Sequence, residues 1–269
     1  MKKLVSINDE NLIKKYINEI DGLVIGIEGL SINYPTMDID TIINLIEFFN
    51  KNNKEIFVVL NKNIHNNEID YVTNILLKLK NITGLFYYDN AILNLKNKLN
   101  LEYNLVIDQE HSMTNYQTIN YYNEYGVKYV HLSSDITLKE MLEIKKNTNS
   151  KIILTIFGYL PMFASQRNLV KNYLEKFKIN DNSKRYYMEK EGKVYNLIDN
   201  ELGTFVYTDE IYSLLDNKEI ENFDYILFNG LLIDDFEYII KNINNYFNIL
   251  NKYKTNPYFK NIETVYKVK

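Results

Sequence analysis

Eight short apolar runs alternate with amphipathic stretches along this chain, and this alternation constrains the fold more than any other feature. The runs are rich in Val, Ile, Leu, Phe and Tyr, which is typical of strands buried on both faces. They lie near residues 3–7, 23–27, 55–60, 85–89, 104–109, 128–132, 151–157 and 224–229. Between them, apolar residues recur at helical spacing, as in Ile39, Ile42, Ile46 and Phe49. Eight strand–helix units in 269 residues predict a single-domain (β/α)₈ TIM-like barrel over residues 1–269, and a doubly wound open sheet is the alternative.

The segment 158–208 interrupts this rhythm after the seventh predicted strand and before a helix expected near 209–219. Residues 186–190 and 193–197 flank Glu191-Gly192, which predicts a β-hairpin, and 204–207 predicts a third strand. An insertion at this point follows the carboxyl end of a barrel strand, where active sites form. We therefore expect it to cap the mouth of the barrel. A lid or dimer arm is the alternative to a substrate-binding role.

The absence of cysteine excludes several kinds of site. The chain has no disulfide, thiol nucleophile, thiolate zinc site or cysteine-held iron–sulfur cluster. Its three histidines lack metal-ligand spacing, so we predict no metal site. A net charge of −4 argues against a strongly basic nucleic-acid surface but leaves room for a local patch. No signal peptide or spanning segment is evident, so we expect a cytoplasmic protein without membrane contact.

Polar residues follow most of the predicted strands, and a barrel would bring them to one mouth. His65 is a candidate acid, base or ligand, with a loop-ordering role as the alternative. His131 falls within a strand, and we interpret it as structural. The catalytic candidates from these positions are Asn61, His65 and Glu110, and the substrate-binding candidates are Glu28 and Asn229.

The segment 157–173 carries the strongest local signal, because it follows a buried strand with Gly158, an apolar stretch and then Arg167. Arg167 and Arg185 are the two arginines of the chain. The planar guanidinium suits carboxylate or phosphate oxygens, so we predict that Arg167 lines the principal pocket, acts in catalysis and meets an anion. The alternatives are an ion pair with Asp135 or Glu110 and a solvated face. Substrate-binding candidates here are Tyr159, Met162, Ser165, Asn172 and Tyr173.

The same segment resembles the signature region of the peptidase U32 family, the collagenase-like proteases. The matching residues, in the family's order, are Gly158, Met162, Ser165, Arg167, Asn172 and Tyr173. Other matches are Leu60-Asn61 with His65-Asn66, and Thr114-Asn115 with Gly126-Val127-Lys128. The tail Glu263-Thr264-Val265-Tyr266 resembles the end of a cysteine-free subgroup from low-GC Gram-positive bacteria.

This resemblance implies a barrel-like fold and a role in RNA hydroxylation. Although family members are named peptidases, several make 5-hydroxyuridine at the wobble position of tRNA. Cysteine-containing members of that kind are associated with an iron–sulfur cluster and a prephenate-dependent pathway, and the cysteine-free subgroup works alongside such a paralogue. We therefore expect a component of tRNA wobble-uridine hydroxylation that has no cofactor of its own. Its expected partners are tRNA and a cysteine-containing paralogue that carries the cluster.

The chain departs from the family pattern at several chargeable positions. Phe157 stands where the family has His, Pro161 where it has Cys, and Leu227-Phe228-Asn229-Gly230 where it has Lys-Ile-acid-Gly. These losses weaken independent catalysis and favour a diverged subunit. The alternatives are a U32-type peptidase, which is a hydrolase, and a non-catalytic scaffold or binding barrel. The sequence does not determine the oligomeric state, and a homo-oligomer is one of the possibilities.

Overall fold

The computed structural model describes residues 1–109, 111–181, 183 and 185–262 of the chain. Its first fourteen strands and helices are β1 (Lys2–Ser6), α1 (Glu10–Lys15), β2 (Gly22–Ile27), β3 (Thr36–Met37), α2 (Ile39–Lys51), β4 (Glu55–Leu60), α3 (Ile69–Lys78), β5 (Gly84–Tyr87), α4 (Ala91–Leu99), β6 (Asn104–Ile107), α5 (Tyr116–Glu124), β7 (Tyr129–His131), α6 (Leu138–Lys146) and β8 (Lys151–Gly158). They are followed by β9 (Pro161–Ser165), α7 (Leu169–Phe177), β10 (Arg185–Lys190), β11 (Lys193–Asn200), β12 (Gly203–Tyr207), β13 (Ile211–Ser213), β14 (Tyr225–Asn229), α8 (Phe236–Lys241), α9 (Tyr246–Lys252) and β15 (Thr255–Asn256). Each helix in these described ranges is too short or too polar to span a lipid bilayer.

Eight of the strands form a closed, all-parallel barrel. They pair in the order β1, β2, β4, β5, β6, β7, β8, β14, and β14 pairs with both β8 and β1. In the register, Leu4 lies opposite Leu227, and Leu227 lies opposite Thr155. Because no barrel strand is left at an edge, the open-sheet alternative is wrong and the predicted barrel is confirmed.

Local sequence signals set the beginnings of several barrel helices. The side chains of Asp9, Asp38, Asn115 and Thr137 each accept a hydrogen bond from the backbone N–H three residues later. Such caps satisfy donors that have no partner within the helix. The helices then bury one stripe each against the outside of the barrel, as α2 does with Ile42, Leu45, Ile46 and Phe49.

The prediction of a helix near residues 209–219 is wrong. The chain forms strand β13 there, followed by a 3₁₀ turn over Lys218–Asn222. An amphipathic helix buries one stripe of its surface, whereas every residue from 211 to 215 is buried. Strand β13 pairs antiparallel with the end of β8, where Tyr212 lies opposite Gly158.

The insertion 158–208, called the cap below, leaves the barrel at the carboxyl end of β8. Gly158 has φ +147°, and a Cβ there would lie 2.8 Å from the carbonyl oxygen of Asn229. A side chain at this position would therefore displace β14, so glycine is required where the chain leaves the barrel. The cap is an antiparallel sheet in the order β10-β11-β12-β9, with α7 between β9 and β10. Strands β10 and β11 form a hairpin around Glu191-Gly192.

Side-chain contacts tie the cap to loops of the barrel. The Tyr207 hydroxyl donates to Oδ1 of Asn33, in the loop after β2, at 3.1 Å. Arg185 Nη1 lies 3.4 Å from Oδ1 of Asp234, in the loop after β14, and its guanidinium also donates to Asn196 within the cap. These contacts hold one face of the cap sheet over the mouth of the barrel.

Candidate active site at the barrel mouth

The inner face of the barrel changes from apolar to polar at the carboxyl ends of its strands. Its lower part is an apolar cluster formed by Leu4, Val24, Phe57, Val59, Phe86, Val106, Tyr129, Ile153, Tyr225 and Leu227, with Tyr34 from the loop after β2. Because side chains alternate along a strand, the next inward position lies two residues further on. Six such positions carry buried polar side chains: Ser6, Asn61, Asp108, His131, Thr155 and Asn229. We call these six residues the polar layer.

Three members of the polar layer form a continuous hydrogen-bonded row across neighbouring strands. Asp108 follows β6, His131 ends β7 and Thr155 lies on β8. Oδ1 of Asp108 is 2.7 Å from Nδ1 of His131, and Nε2 of His131 is 2.8 Å from Oγ1 of Thr155. The Asp108 carboxylate can accept a hydrogen bond from Nδ1–H of His131, and Nε2 can then accept one from the Thr155 hydroxyl. The row therefore places a hydroxyl, a base and an orienting carboxylate within direct contact.

The remaining polar groups fix this row and the loop that covers it. Asn61 donates from Nδ2 to Oδ2 of Asp108 at 2.9 Å and accepts from the backbone N–H of Ile32 at 2.8 Å. Asn229 donates to the carbonyl of Asn33 at 2.9 Å. The loop after β2 is thus tied to strands on opposite sides of the mouth. In the part of the chain that the structure describes, the buried Ser6 hydroxyl has no hydrogen-bond partner.

A cavity of about 40 Å³ lies above the polar layer. His131, Thr155 and Asn229 line it from the barrel. Tyr159 lines it from the start of the cap, and burial raises the pKa of its phenol. A space of this size holds water molecules or a few atoms of a substrate. The other lining residues are Asn33, Tyr34, His111, Leu132, Ser133, Ser134, Asp135, Leu160 and Pro161.

The predicted site residues fall into separate places. Asn61, Tyr159 and Asn229 meet at the mouth, as described above. His65 and Ser165 line a second cavity of about 540 Å³ between the loop after β4 and the cap. Met162 and Tyr173 line a third, of about 830 Å³, on the outer side of the cap. Their proposed roles in catalysis or binding stay predictions.

Four predicted residues lie elsewhere. Glu28 and Asn172 are exposed, and Glu110 lies outside the described residues. Arg167 is exposed between β9 and α7 and is not among the residues that line the central cavity, so the prediction that it lines the principal pocket is wrong. The β9 strand carries it past the mouth to the corner of the cap. Its role as an anion contact stays a prediction.

The row of Asp108, His131 and Thr155 was not predicted from the sequence as a site. The polar residues taken to follow the fifth predicted strand are Gln109 and Glu110, which come one and two positions after Asp108. His131 is interpreted as structural. The available signal was the alternation itself, because each polar residue lies two positions after an inward apolar one. In the described residues, no three His, Asp or Glu side chains are grouped so that they could hold a metal ion.

A family model described as peptidase family U32 matches residues 8–267, which is most of the chain. The chain belongs to peptidase family U32. The U32 peptidase Mk0906 has the same fold, with a TM-score of 0.53 at 9% identity over 85% of this chain and 92% of that one. The resemblance seen in the sequence is thereby confirmed at the level of family and fold.

Two curated relatives of this U32 chain come from Bacillus subtilis (strain 168). The tRNA hydroxylation protein P2 is 24% identical over 185 residues, which cover 65% of this chain and 60% of that protein. The tRNA hydroxylation protein P1 is 24% identical over 148 residues, which cover 54% of this chain and 35% of that protein. The chain therefore matches less than two thirds of the length of either relative.

Proposed function

We propose that this chain is a component of tRNA wobble-uridine hydroxylation and that the polar layer at its barrel mouth is the reacting site. The observation that carries the proposal is the similarity to two proteins that are both named for tRNA hydroxylation. The position of the polar layer agrees with it, because barrels of this kind place their chemistry at the carboxyl ends of the strands.

Within this site, His131 transfers protons. The Asp108 carboxylate orients the imidazole and stabilises the positive charge that forms when Nε2 takes a proton. The Thr155 hydroxyl, 2.8 Å from Nε2, is the group through which that proton passes to or from a substrate in the cavity. Asn61 keeps the carboxylate in place through its hydrogen bond to Oδ2.

The partner in this proposal is a cysteine-containing paralogue. Because the chain has no cysteine, an iron–sulfur cluster used by the pathway would be carried by that partner. The central cavity of about 40 Å³ is smaller than a nucleobase, so a target uridine reaches His131 after the cap moves away from the mouth. The hydrogen bond from Tyr207 to Asn33 is one contact that this movement breaks.

A second candidate function is hydrolysis of peptide bonds, and one observation favours it. Asp108, His131 and Thr155 have the order of an orienting acid, a base and a nucleophilic hydroxyl. In that reaction, the Thr155 oxygen would attack a carbonyl carbon while its proton passes to Nε2 of His131. Release of a labelled peptide by the purified chain, and its loss in Thr155→Val, would support this candidate over hydroxylation.

The proposed function is tested in a strain that lacks this chain and keeps its cysteine-containing paralogue. Nucleosides from its purified tRNA are quantified by mass spectrometry. We expect 5-hydroxyuridine and its derivatives to fall severalfold or more and to return when the wild-type chain is supplied. An unchanged level of these nucleosides in the deletion strain would overturn the proposal.

A further inference from the structure

The two faces of the cap sheet differ in what covers them. On the inner face, Asn196, Phe205 and Tyr207 are buried against the barrel mouth. On the outer face, the register of the four strands places one residue from each side by side. This row consists of Tyr186, Leu197, Val206 and Phe163.

The outer row forms the floor of a groove of about 830 Å³, which we call the outer groove. Helix α7 forms one wall with Leu169, Val170, Tyr173 and Leu174. Phe163 is 51% exposed and Tyr173 is 56% exposed. Single exposed apolar side chains are ordinary on protein surfaces, but a continuous apolar patch marks a surface that binds something.

The charges around the outer groove indicate which kind of partner it fits. Lys190 lines the groove, and Lys171, Lys176 and Lys178 lie on α7 or at its end. In the described part of the chain, none of these four lysines forms an ion pair. Residues 158–208 hold eight Lys and Arg against six Asp and Glu, whereas the whole chain has 31 against 35. Among the described residues that line the groove, Lys190 is accompanied by four tyrosines and one phenylalanine and by no Asp or Glu, and positive charge beside stacking rings favours a single-stranded nucleic acid.

We propose that the outer groove binds an unpaired RNA strand. Bases stack on the exposed rings of Phe163 and Tyr173 and on Tyr186 and Tyr195, which also line the groove. Phosphates contact the four lysines. This inference rests on the proposed function, since it names the surface that holds RNA while the target uridine is presented to the barrel mouth.

The test is the affinity of the purified full chain for a fluorescein-labelled oligouridine of about twelve nucleotides, measured by anisotropy. Tyr173→Ala should weaken binding roughly 5- to 100-fold, and Tyr173→Phe, which keeps the ring, should bind like wild type. Tyr121→Ala is the matched control, because Tyr121 is 54% exposed on α5 of the barrel. Replacing Lys171 and Lys190 by Gln should reduce the slope of log affinity against log salt by about 0.7 for each phosphate that the chain no longer neutralises.

Equal binding by Tyr173→Ala and Tyr121→Ala, or no binding of the oligouridine, would overturn the inference. So would a dimer seen by sedimentation that Tyr173→Ala dissociates, because the groove would then hold a second copy of the chain. The nucleoside analysis of the deletion strain separates this result from the proposed function. If Tyr173→Ala binds RNA normally and the deletion strain loses 5-hydroxyuridine, RNA binding by the outer groove is refuted and the proposed function stands.

Discussion

The lower and upper parts of the barrel interior lie on neighbouring inward positions, two residues apart along the strands, and differ in the chemistry of their side chains. In the lower part, the Phe57 ring packs edge-to-face against Phe86 and Tyr225, with centroids 5.9 and 5.7 Å apart. In the upper part, Asp108 follows β6, His131 ends β7 and Thr155 lies on β8. Buried polar groups add little net stability and are costly when left without partners. This cost agrees with the proposed role of the polar layer as a reacting site, and the contrast can be tested one layer at a time.

The largest effect on stability is expected in the lower part. Phe57 is fully buried, so Phe57→Ala should lower the free energy of unfolding by about 3–5 kcal/mol. Urea unfolding followed by far-UV circular dichroism measures this change. A loss below about 1 kcal/mol would show that the lower layer does not hold the barrel together.

A smaller effect is expected from removing one hydroxyl of the polar layer. Thr155→Val keeps the side-chain volume but leaves Nε2 of His131 without its partner, which should cost about 1–3 kcal/mol. Thr155→Ser restores the hydroxyl and should recover most of that loss. The same urea unfolding compares the two variants, and equal stabilities would show that the hydrogen bond to Nε2 contributes nothing.

Arg167 lies outside both layers, and its replacement should separate stability from function. Its exposed guanidinium makes no hydrogen bond or ion pair to any residue that the structure describes, so Arg167→Lys and Arg167→Ala should change stability by less than about 0.5 kcal/mol. If Arg167 grips an anion with its planar fork, both variants should lose tRNA hydroxylation. Full activity of Arg167→Lys would refute the contact between the planar guanidinium and an anion. A clear drop in melting temperature would instead favour an ion pair between Arg167 and an acidic residue of the chain.

The smallest effect concerns a network on the outer surface. Hydrogen bonds from Lys15, Tyr16 and Lys241 lower the pKa of Glu237 from 4.5 to about 2. A carboxyl whose pKa is lower in the folded state stabilises the fold above its unfolded pKa and loses that contribution as it becomes protonated. Wild type should therefore lose stability between about pH 4.5 and pH 2 more steeply than Glu237→Gln. The measurement is the melting temperature of each protein as a function of pH. If the two proteins show the same dependence on pH across this range, the lowered pKa of Glu237 does not contribute to stability.

The sequence predicts the barrel well because each strand and helix carries its own local pattern. The apolar runs and the capping residues Asp38 and Thr137 act over a few positions, so they can be recognised without the fold. The helix expected near 209–219 failed because tertiary pairing with β8 decides that segment.

The active-site candidates were harder to predict because they depend on which way each strand faces. Asp108 and Gln109 are adjacent polar residues after the same strand, but Asp108 occupies the inward position two residues after Val106. Arg167 looked well placed by its motif, yet the direction of β9 takes it away from the mouth. Such choices follow from strand orientation and the path of the cap, which no local pattern encodes.

The central claim, that the polar layer is the reacting site, is tested most directly by two variants supplied to the deletion strain. His131→Gln removes the base from the upper layer, and Phe57→Leu disturbs the lower layer without changing its chemistry. Each variant's melting temperature is measured on purified protein, and 5-hydroxyuridine is measured in tRNA. We expect the His131→Gln protein to stay folded but to give no 5-hydroxyuridine, and the Phe57→Leu protein to give 5-hydroxyuridine as the wild type does. Normal levels of 5-hydroxyuridine with His131→Gln would contradict the account.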